Sequence, residues 1–157
     1  MIIVADSSAL VALTVCNCLE LLDQLYQDVR VPQAVFDECT QANKTGAKQL
    51  EKYLRNKVSN IDLSNYVISA NGLGLGELEA MALYKHLNAG KLLIDDRRAK
   101  KVASLNDIQV IGSLGILLHA KEEKLITTVK PYLTTIQSSE IFISDQVIAE
   151  VLRISNE

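Results

Sequence analysis

The chain has 157 residues, the size of one ordinary domain, and 48% of them are hydrophobic, which excludes a disordered chain. Its three cysteines are odd in number and form no CxxC pair, so we expect free, buried thiols and neither a disulfide framework nor a zinc site. The formal net charge of −3 excludes a broadly basic surface for nucleic acid, so any such contact must use a local basic patch or a bound metal ion.

The chain begins with a short, continuously apolar run at residues 2–5, which predicts a strand buried on both faces of a parallel sheet. Asp6 and Ser8 follow this run, and both residue types cap helices. Apolar residues then recur at helical spacing from Leu10 to Leu25. The pattern predicts a strand that leads through polar side chains into a helical segment.

A second short strand is predicted at residues 29–31, and the helix after it carries Glu38. Residues 44–57 are typical of an exposed basic helix, and residues 66–68 of a third strand. A glycine-rich loop comes next, and its spacing fits neither a Walker A motif nor GxGxxG. We interpret it as a flexible connection into a helix that starts at Glu77.

The clearest strand is predicted at residues 92–94, and it ends in Asp95 and Asp96. The helix that follows carries four cationic side chains: Arg97, Arg98, Lys100 and Lys101. Its inward face is predicted to consist of Ala99, Val102 and Leu105. One more strand and three more helices are predicted at residues 110–111, 114–121, 126–137 and 145–155.

Short apolar strands that alternate with helices predict an α/β fold with a mainly parallel sheet. In such sheets, sites lie outside the carboxyl ends of the strands, so polar residues directly after strands are the first candidates. The sequence lacks a long apolar stretch and the basic start of a signal peptide. We therefore expect a cytoplasmic protein without a membrane segment.

Acidic residues follow two predicted strands directly, Asp6 after the first and Asp95 with Asp96 after a later one. Glu38 and Glu77 lie in helices next to these strands. Because like charges repel when they gather at one sheet edge, a divalent cation would make such a cluster favourable. Carboxylate ligands without His or Cys favour Mg²⁺ or Mn²⁺, which polarise phosphodiesters and lower the pKa of an attacking water.

Each acid also has a purely structural interpretation. Asp6 and the Asp95–Asp96 pair can cap helices, Glu77 can complement a helix dipole, and Glu38 can be a solvated helix residue. The cationic helix after the pair can be a solvated face instead of an RNA contact. An apolar strand followed by acid occurs twice, however, and this repetition favours a site.

Five motifs occur in a fixed order: IIVADSSALVAL, VPQAVFDEC, GELEAMALY, LLIDDRRAKKVA and VIGSLGILLHAKEEKLI. The ordered set runs from residue 2 to about residue 154. It resembles the PIN-domain family, in particular a prokaryotic subfamily similar to VapC-type ribonuclease toxins. The resemblance implies a Rossmann-like three-layer α/β/α sandwich that forms one PIN-like domain over residues 1–157, with a C-terminal helical extension over about 126–157.

The same resemblance implies a metal-dependent endoribonuclease with Mg²⁺ or Mn²⁺ as cofactor and RNA as substrate. It assigns catalytic and metal-binding roles to four acids: Asp6, Glu38, Glu77 and Asp96. Asp95 is the neighbouring candidate for the fourth metal ligand, Glu79 for the third, and Ser8 resembles the hydroxyl residue that supports the first Asp. The third acid is Glu77, whereas many PIN toxins have Asp at this position. The extra methylene group of Glu changes how far the carboxylate extends from the backbone.

Partners follow from the resemblance as well. It implies that the protein forms a homodimer. It also indicates that the protein is a toxin to which a small antitoxin protein binds. A weaker RNA-binding role is assigned to the cationic helix with Arg97, Arg98, Lys100 and Lys101.

Two other classes of function compete with the nuclease. A PIN-fold interaction module with weak or absent catalysis is the alternative, and acids at all four positions argue against it. A phosphatase with an Asp nucleophile would need a second Asp where Ser8 stands. A phosphotransfer receiver would need its paired acids after the first strand, whereas Asp95 and Asp96 come late.

Overall fold

The structure is a computed structural model that describes residues 1–66 and 72–157. Within these residues the chain forms a sheet of four strands, β1 to β4 in chain order: Ile2–Ala5, Asp28–Arg30, Lys91–Leu93 and Val110–Ile111. The strands are parallel and lie in the order β2-β1-β3-β4. Their carboxyl ends therefore meet at one edge of the sheet.

Helices cover both faces of this sheet, so the predicted Rossmann-like α/β fold is confirmed. In chain order the described α-helices, α1 to α9, are Ser7–Val15, Glu20–Leu25, Gln33–Cys39, Ala47–Leu54, Leu75–His86, Arg97–Leu105, Ser113–Glu122, Lys130–Gln137 and Asp145–Ile154. A short 3-10 helix spans Leu63–Asn65.

The two central strands, β1 and β3, consist of apolar side chains on both faces. Ile3, Val4 and Ala5 are fully buried, and so are Leu92 and Leu93. A parallel strand with helices on both sides has no solvated face, so it cannot alternate apolar and polar residues. Because β1 pairs with both β2 and β3, the residue that follows it emerges in the middle of the sheet edge.

The helical segment predicted from Leu10 to Leu25 is divided into α1 and α2. Asn17 lies between the two helices with φ +57°, the left-handed region. Asn adopts this conformation more readily than most non-glycine residues, and one such residue ends a helix. The three cysteines nearby and on α3 are free and buried, as predicted.

Two predictions about the surface helices need correction. Leu105 was expected to face inward, but 74% of it is exposed, and Ala99 and Ala103 form the buried face of α6 instead. The basic helix predicted over residues 44–57 spans only Ala47–Leu54, because Gly46 before it has φ +73°. The third strand predicted at residues 66–68 falls on Val67 and Ile68, which lie outside the described residues.

The two last helices pack onto the sheet domain through α1 and α7. The helix predicted from residue 126 begins at Lys130, and its apolar side chains Leu133 and Ile136 are buried. The Glu157 carboxylate accepts the backbone N–H groups of Val129 and Lys130, so it caps α8. Among the described residues, every helix is too short or too polar to span a bilayer.

The contrast between Leu92 and Leu105 gives a test of this packing. We expect Leu92→Ala to lower the free energy of unfolding by about 2–5 kcal/mol, because it leaves a cavity between β3 and its covering helices. Leu105→Ala, the same change at an exposed site, should alter it by less than about 0.5 kcal/mol. Urea denaturation followed by circular dichroism measures both. Equal losses would contradict the orientation of α6.

Candidate active site at the carboxyl edge of the sheet

Asp6 is the first residue after β1, and only 2% of its surface is exposed. Its backbone N–H donates to the carbonyl of Leu93 at 2.8 Å, which extends the pairing of β1 with β3. Its Oδ2 caps α1 by accepting the Ser8 N–H at 3.4 Å and the Ser8 hydroxyl at 3.2 Å. Its Oδ1 is buried and has no hydrogen-bond partner within the part of the chain that the structure describes.

Burial and a neighbouring charge make the Asp6 carboxylate hard to ionise. Burial raises the pKa of Asp6 to about 6, hydrogen bonds from Ser8 lower it in part, and the negative charge of Glu77 raises it again. Glu77 on α5 therefore lies close enough for the two charges to repel. A cation is the group that stabilises two carboxylates in such an arrangement.

Ser8 connects the residues that follow β1 and β3. Its hydroxyl donates to Asp6 Oδ2 at 3.2 Å and accepts the backbone N–H of Asp95 at 3.1 Å. One short side chain therefore fixes the Asp6 carboxylate relative to the end of the neighbouring strand. This geometry favours the supporting role predicted for Ser8.

Asp95 points toward the start of α7. Its Oδ1 accepts the Ser113 N–H at 2.7 Å, and its Oδ2 accepts the Ser113 hydroxyl at 2.6 Å. Ser113 is itself 2% exposed, and the sequence analysis missed it. The signal was a serine directly after Gly112, at the carboxyl end of β4, the strand beside β3.

Asp96 is exposed and caps α6, because its Oδ2 accepts the Ala99 N–H at 2.8 Å. Asp6 caps α1, and Asp95 binds the first residue of α7. Three helices therefore begin at this edge with a carboxylate at each N-terminus. The partial positive charge of a helix N-terminus stabilises a nearby carboxylate, which offsets part of the repulsion among the acids.

Two clefts flank the acids. One has a volume of about 590 Å³ and is lined by Glu77 on α5. The other has a volume of about 440 Å³ and is lined by Asp95 and Asp96. Ser7 and Glu38 line both clefts, so they form the ridge between them.

Glu38 reaches this ridge because α3 packs closely against α5. A Cβ on Gly76 of α5 would lie 3.0 Å from Glu38 Oε2, so a glycine leaves the space that the carboxylate uses. Glu77 follows in the first turn of α5, where its Oε2 accepts the Gly74 N–H at 2.9 Å. The close approach of the two helices therefore brings the second and third predicted acids to the walls of one cleft.

Glu79, the alternative third acid, makes a different contact. Its Oε1 accepts the backbone N–H of Ala34 at 3.4 Å, at the start of α3. This contact ties α5 to α3. Of the two glutamates, Glu77 is the one whose charge acts on Asp6 and that lines a cleft.

The cations predicted to bind RNA lie at and beyond the start of α6. Arg98 packs against Gly72 at the rim of the cleft of Glu77, and its guanidinium occupies the space that a Cβ on Gly72 would need. Lys100 Nζ and Asp95 Oδ1 both lie close to Gly112, where a Cβ would be 2.9 Å from each atom. Arg97 and Lys101 are exposed.

A further cation lines the acidic site itself. Lys44, which precedes α4, lines the cleft of Asp95 and Asp96 together with Glu38. Its charge also acts on Cys39 in the same wall. From the sequence, Lys44 was predicted only as part of a basic helix, because nothing local relates it to acids that follow distant strands.

The donor set fits a divalent cation. Among the described residues, no three His, Cys, Asp or Glu side chains stand ready as a metal-binding group. In that part of the chain the buried Asp6 Oδ1 nevertheless has no hydrogen-bond partner, and Asp6 and Glu77 repel each other. A bound cation would supply a partner for this oxygen and a charge that offsets the repulsion. Hard carboxylate oxygens are the ligands that Mg²⁺ and Mn²⁺ prefer.

A parallel α/β sheet whose carboxyl edge gathers acids between two clefts defines a Rossmann-like protein with an acidic site. The chain belongs to the PIN-domain family: a family model described as "DUF3368: PIN domain" matches residues 2–157. PIN domains are generally nucleases, which act on nucleic acid and generally use divalent metals. No curated protein and no solved structure shows significant similarity to the chain.

The raised pKa of Asp6 predicts how stability depends on pH without metal. The folded protein holds this proton up to about pH 6, while the unfolded chain releases it near pH 3.8, so the contribution of Asp6 to stability falls as the pH rises between these values. We expect Asp6→Asn to remove this loss, which amounts to about 3 kcal/mol for a shift of about two pKa units.

Urea denaturation of both proteins in EDTA from pH 4 to 8 measures this effect. The advantage of Asp6→Asn over wild type should grow up to about pH 6.5 and then level off. A difference that is constant with pH would contradict a raised pKa for Asp6.

The contact of Ser113 with Asp95 gives a second test. Ser113→Ala removes a partly buried hydrogen bond to a carboxylate, so we expect the free energy of unfolding to fall by about 1.5–3 kcal/mol. Ser104→Ala, at an exposed position on α6, is the matched control and should change it by less than about 0.5 kcal/mol. Urea midpoints at pH 7.5 measure both. A Ser113→Ala protein as stable as the control would show that Asp95 needs no anchor.

Proposed function

We propose that this PIN domain is a metal-dependent endoribonuclease that hydrolyses RNA phosphodiester bonds with Mg²⁺ or Mn²⁺. The observation that carries the proposal is the Asp6 carboxylate. It is buried at the centre of the sheet edge, has one oxygen without a hydrogen-bond partner among residues 1–66 and 72–157, and lies beside a second acid. A purely structural helix cap would need neither feature.

The proposed metal ligands are Asp6, Glu38, Glu77 and Asp96, with Asp95 beside them. The repulsion between Asp6 and Glu77 supports a ligand role for both residues. The position of Glu38 on the ridge between the clefts supports the same role for Glu38. Ser8 would orient Asp6, and Glu79 would hold α5 against α3. A bound cation would polarise the phosphodiester, lower the pKa of an attacking water and stabilise the leaving oxygen.

The protonation state of Asp6 should limit activity at low pH. With a pKa of about 6, its carboxylate is mostly ionised above pH 7 and mostly protonated below pH 5. Metal binding and proton binding compete for the same oxygens, so activity should rise with pH through this range and shift to lower pH at higher metal concentration.

The choice of RNA as substrate rests on the likeness to VapC-type toxins. Arg97, Arg98, Lys100 and Lys101 would contact phosphates beyond the acids, which lets a chain of net charge −3 bind a polyanion locally. The same likeness supports a cytoplasmic toxin that is held by a small antitoxin and forms a homodimer.

Cleavage of a mixed pool of single-stranded and structured RNAs tests the proposal. We expect cuts with Mg²⁺ or Mn²⁺, none with EDTA, and a loss of about 100-fold or more in Asp6→Asn, since even residues behind a metal ligand are worth 10- to 100-fold. Asp107→Asn is the matched control, because Asp107 is exposed in the turn before β4, at the opposite edge of the sheet. It should cleave like wild type.

Circular dichroism of wild type and Asp6→Asn in the assay buffer shows whether a loss of cleavage occurs in folded protein. Absence of cleavage in all folded proteins would overturn the nuclease and favour the interaction module. Cleavage that survives both EDTA and Asp6→Asn would also contradict the proposal, since the acids would then be dispensable.

A further inference from the structure

Asp95 and Asp96 are neighbours in the chain, and both line the same cleft. Their hydrogen bonds distinguish them. The Asp95 carboxylate is directed toward the start of α7, where the buried Ser113 donates its N–H to Oδ1 at 2.7 Å and its hydroxyl to Oδ2 at 2.6 Å. Each oxygen of Asp95 therefore accepts a short hydrogen bond from the same residue.

The charge of Asp95 is also offset by its surroundings. Lys100 Nζ and Asp95 Oδ1 both lie close to Gly112, at the carboxyl end of β4. The N-terminus of α7 adds a partial positive charge on the same side. Asp6 is the opposite case, because burial and the charge of Glu77 disfavour its ionised form. A cation would stabilise the charge of Asp6, whereas the charge of Asp95 already has partners.

The backbone of Asp95 is held from the other side of β3. Its N–H donates to the Ser8 hydroxyl oxygen at 3.1 Å, and that hydroxyl donates to Asp6 Oδ2 at 3.2 Å. Asp95 therefore contacts the segment after β1 through its backbone and the segment after β4 through its side chain. These contacts fix the turn between β3 and α6 from both neighbouring strands.

Asp96 is the next residue in this fixed turn. It is exposed, it lines the cleft beside Glu38, and its Oδ2 caps α6 by accepting the Ala99 N–H at 2.8 Å. The direction in which its carboxylate leaves the chain depends on the backbone of Asp95, one peptide earlier. A movement of that backbone would therefore move Asp96 relative to Asp6 and Glu38.

We propose that Asp95 is a positioning residue of the acidic site and that Asp96 is the metal ligand of the pair. The contact of Asp95 with Ser113 holds the turn after β3, and this turn places Asp96 relative to Asp6. The inference rests on the proposed function for the metal ion. Position 95 then requires a side chain that bonds to Ser113, whereas position 96 requires a negative charge.

The same substitution at the two neighbouring positions distinguishes a positioning residue from a ligand. Asp95→Asn can keep both contacts, because an amide oxygen accepts the Ser113 N–H and an amide N–H donates to the Ser113 hydroxyl oxygen. Asp96→Asn keeps the helix cap, because Asn is a good N-cap residue, but it removes the charge. Asp95→Ala removes both contacts with Ser113.

Binding of Mn²⁺ alone is measured by electron paramagnetic resonance, in which the sharp signal of the free ion broadens when the ion binds. We expect Asp95→Ala to raise the Kd for Mn²⁺ by about 10- to 100-fold, the range for residues behind a metal ligand, and Asp95→Asn to restore most of this loss. Asp96→Asn should weaken binding by about 100-fold or more, since a ligand is worth at least as much. Asp107→Asn, exposed before β4 at the opposite edge of the sheet, is the matched control and should bind like wild type.

A double substitution tests whether Ser113 acts through Asp95. Ser113→Ala should weaken Mn²⁺ binding, and its addition to Asp95→Ala should cause no further loss, because the two side chains share one contact. Losses that multiply would contradict the inference. Circular dichroism checks the folding of each variant, and if Asp95→Ala does not fold, the comparison of Asp95→Asn with Asp96→Asn decides.

The outcomes separate this inference from the proposed function. Mn²⁺ binding in the expected order without cleavage of RNA would support the inference and overturn the nuclease. If Asp95→Asn loses Mn²⁺ as completely as Asp96→Asn, Asp95 is a ligand, and only the inference is overturned. A folded Asp95→Ala that binds Mn²⁺ like wild type would also overturn it, because the contact with Ser113 would then serve stability alone. A wild-type protein that binds no Mn²⁺ would overturn both.

Discussion

The structure depends on one costly feature, a carboxylate buried at the end of the central strand. Asp6 is fixed there because β1 lies between β2 and β3 and its N–H pairs with Leu93. Burial opposes ionisation, and the nearby charge of Glu77 adds to the cost. The fold keeps the carboxylate in place with Ser8, which also holds the backbone after β3. The ionised Asp6 carboxylate therefore lowers the stability of the metal-free protein, at the point where a cation would be bound.

The surrounding helices lower that cost without removing it. α1, α6 and α7 all begin at the carboxyl edge, and each has a carboxylate at its N-terminus. Capping and the candidate site therefore use the same residues, since Asp96 is a cap that lines a cleft and Asp6 is a cap on which the charge of Glu77 acts. The two interpretations of each acid in the sequence are compatible, because a parallel sheet places every helix start beside a strand end.

The same arrangement explains how an acidic chain can belong to a nuclease family. Two of the cations lie at the acids, Lys44 in one cleft and Arg98 at the rim of the other. Contact with a polyanion would then be local, at the place where its backbone must lie.

The sequence alone determined the strands, their parallel sheet and the acids that follow β1 and β3, because burial on both faces and capping are local requirements that residues such as Ile3 and Asp6 meet by themselves. It also predicted Glu38 and Glu77 as site residues, through the order of the motifs. Only the tertiary structure decided which side chains meet: Ser113 with Asp95, and Lys44 with the acidic cleft. It also divided α1 from α2 and turned Leu105 outward. Such contacts join residues far apart in the chain, and periodicity carries no information about distant partners.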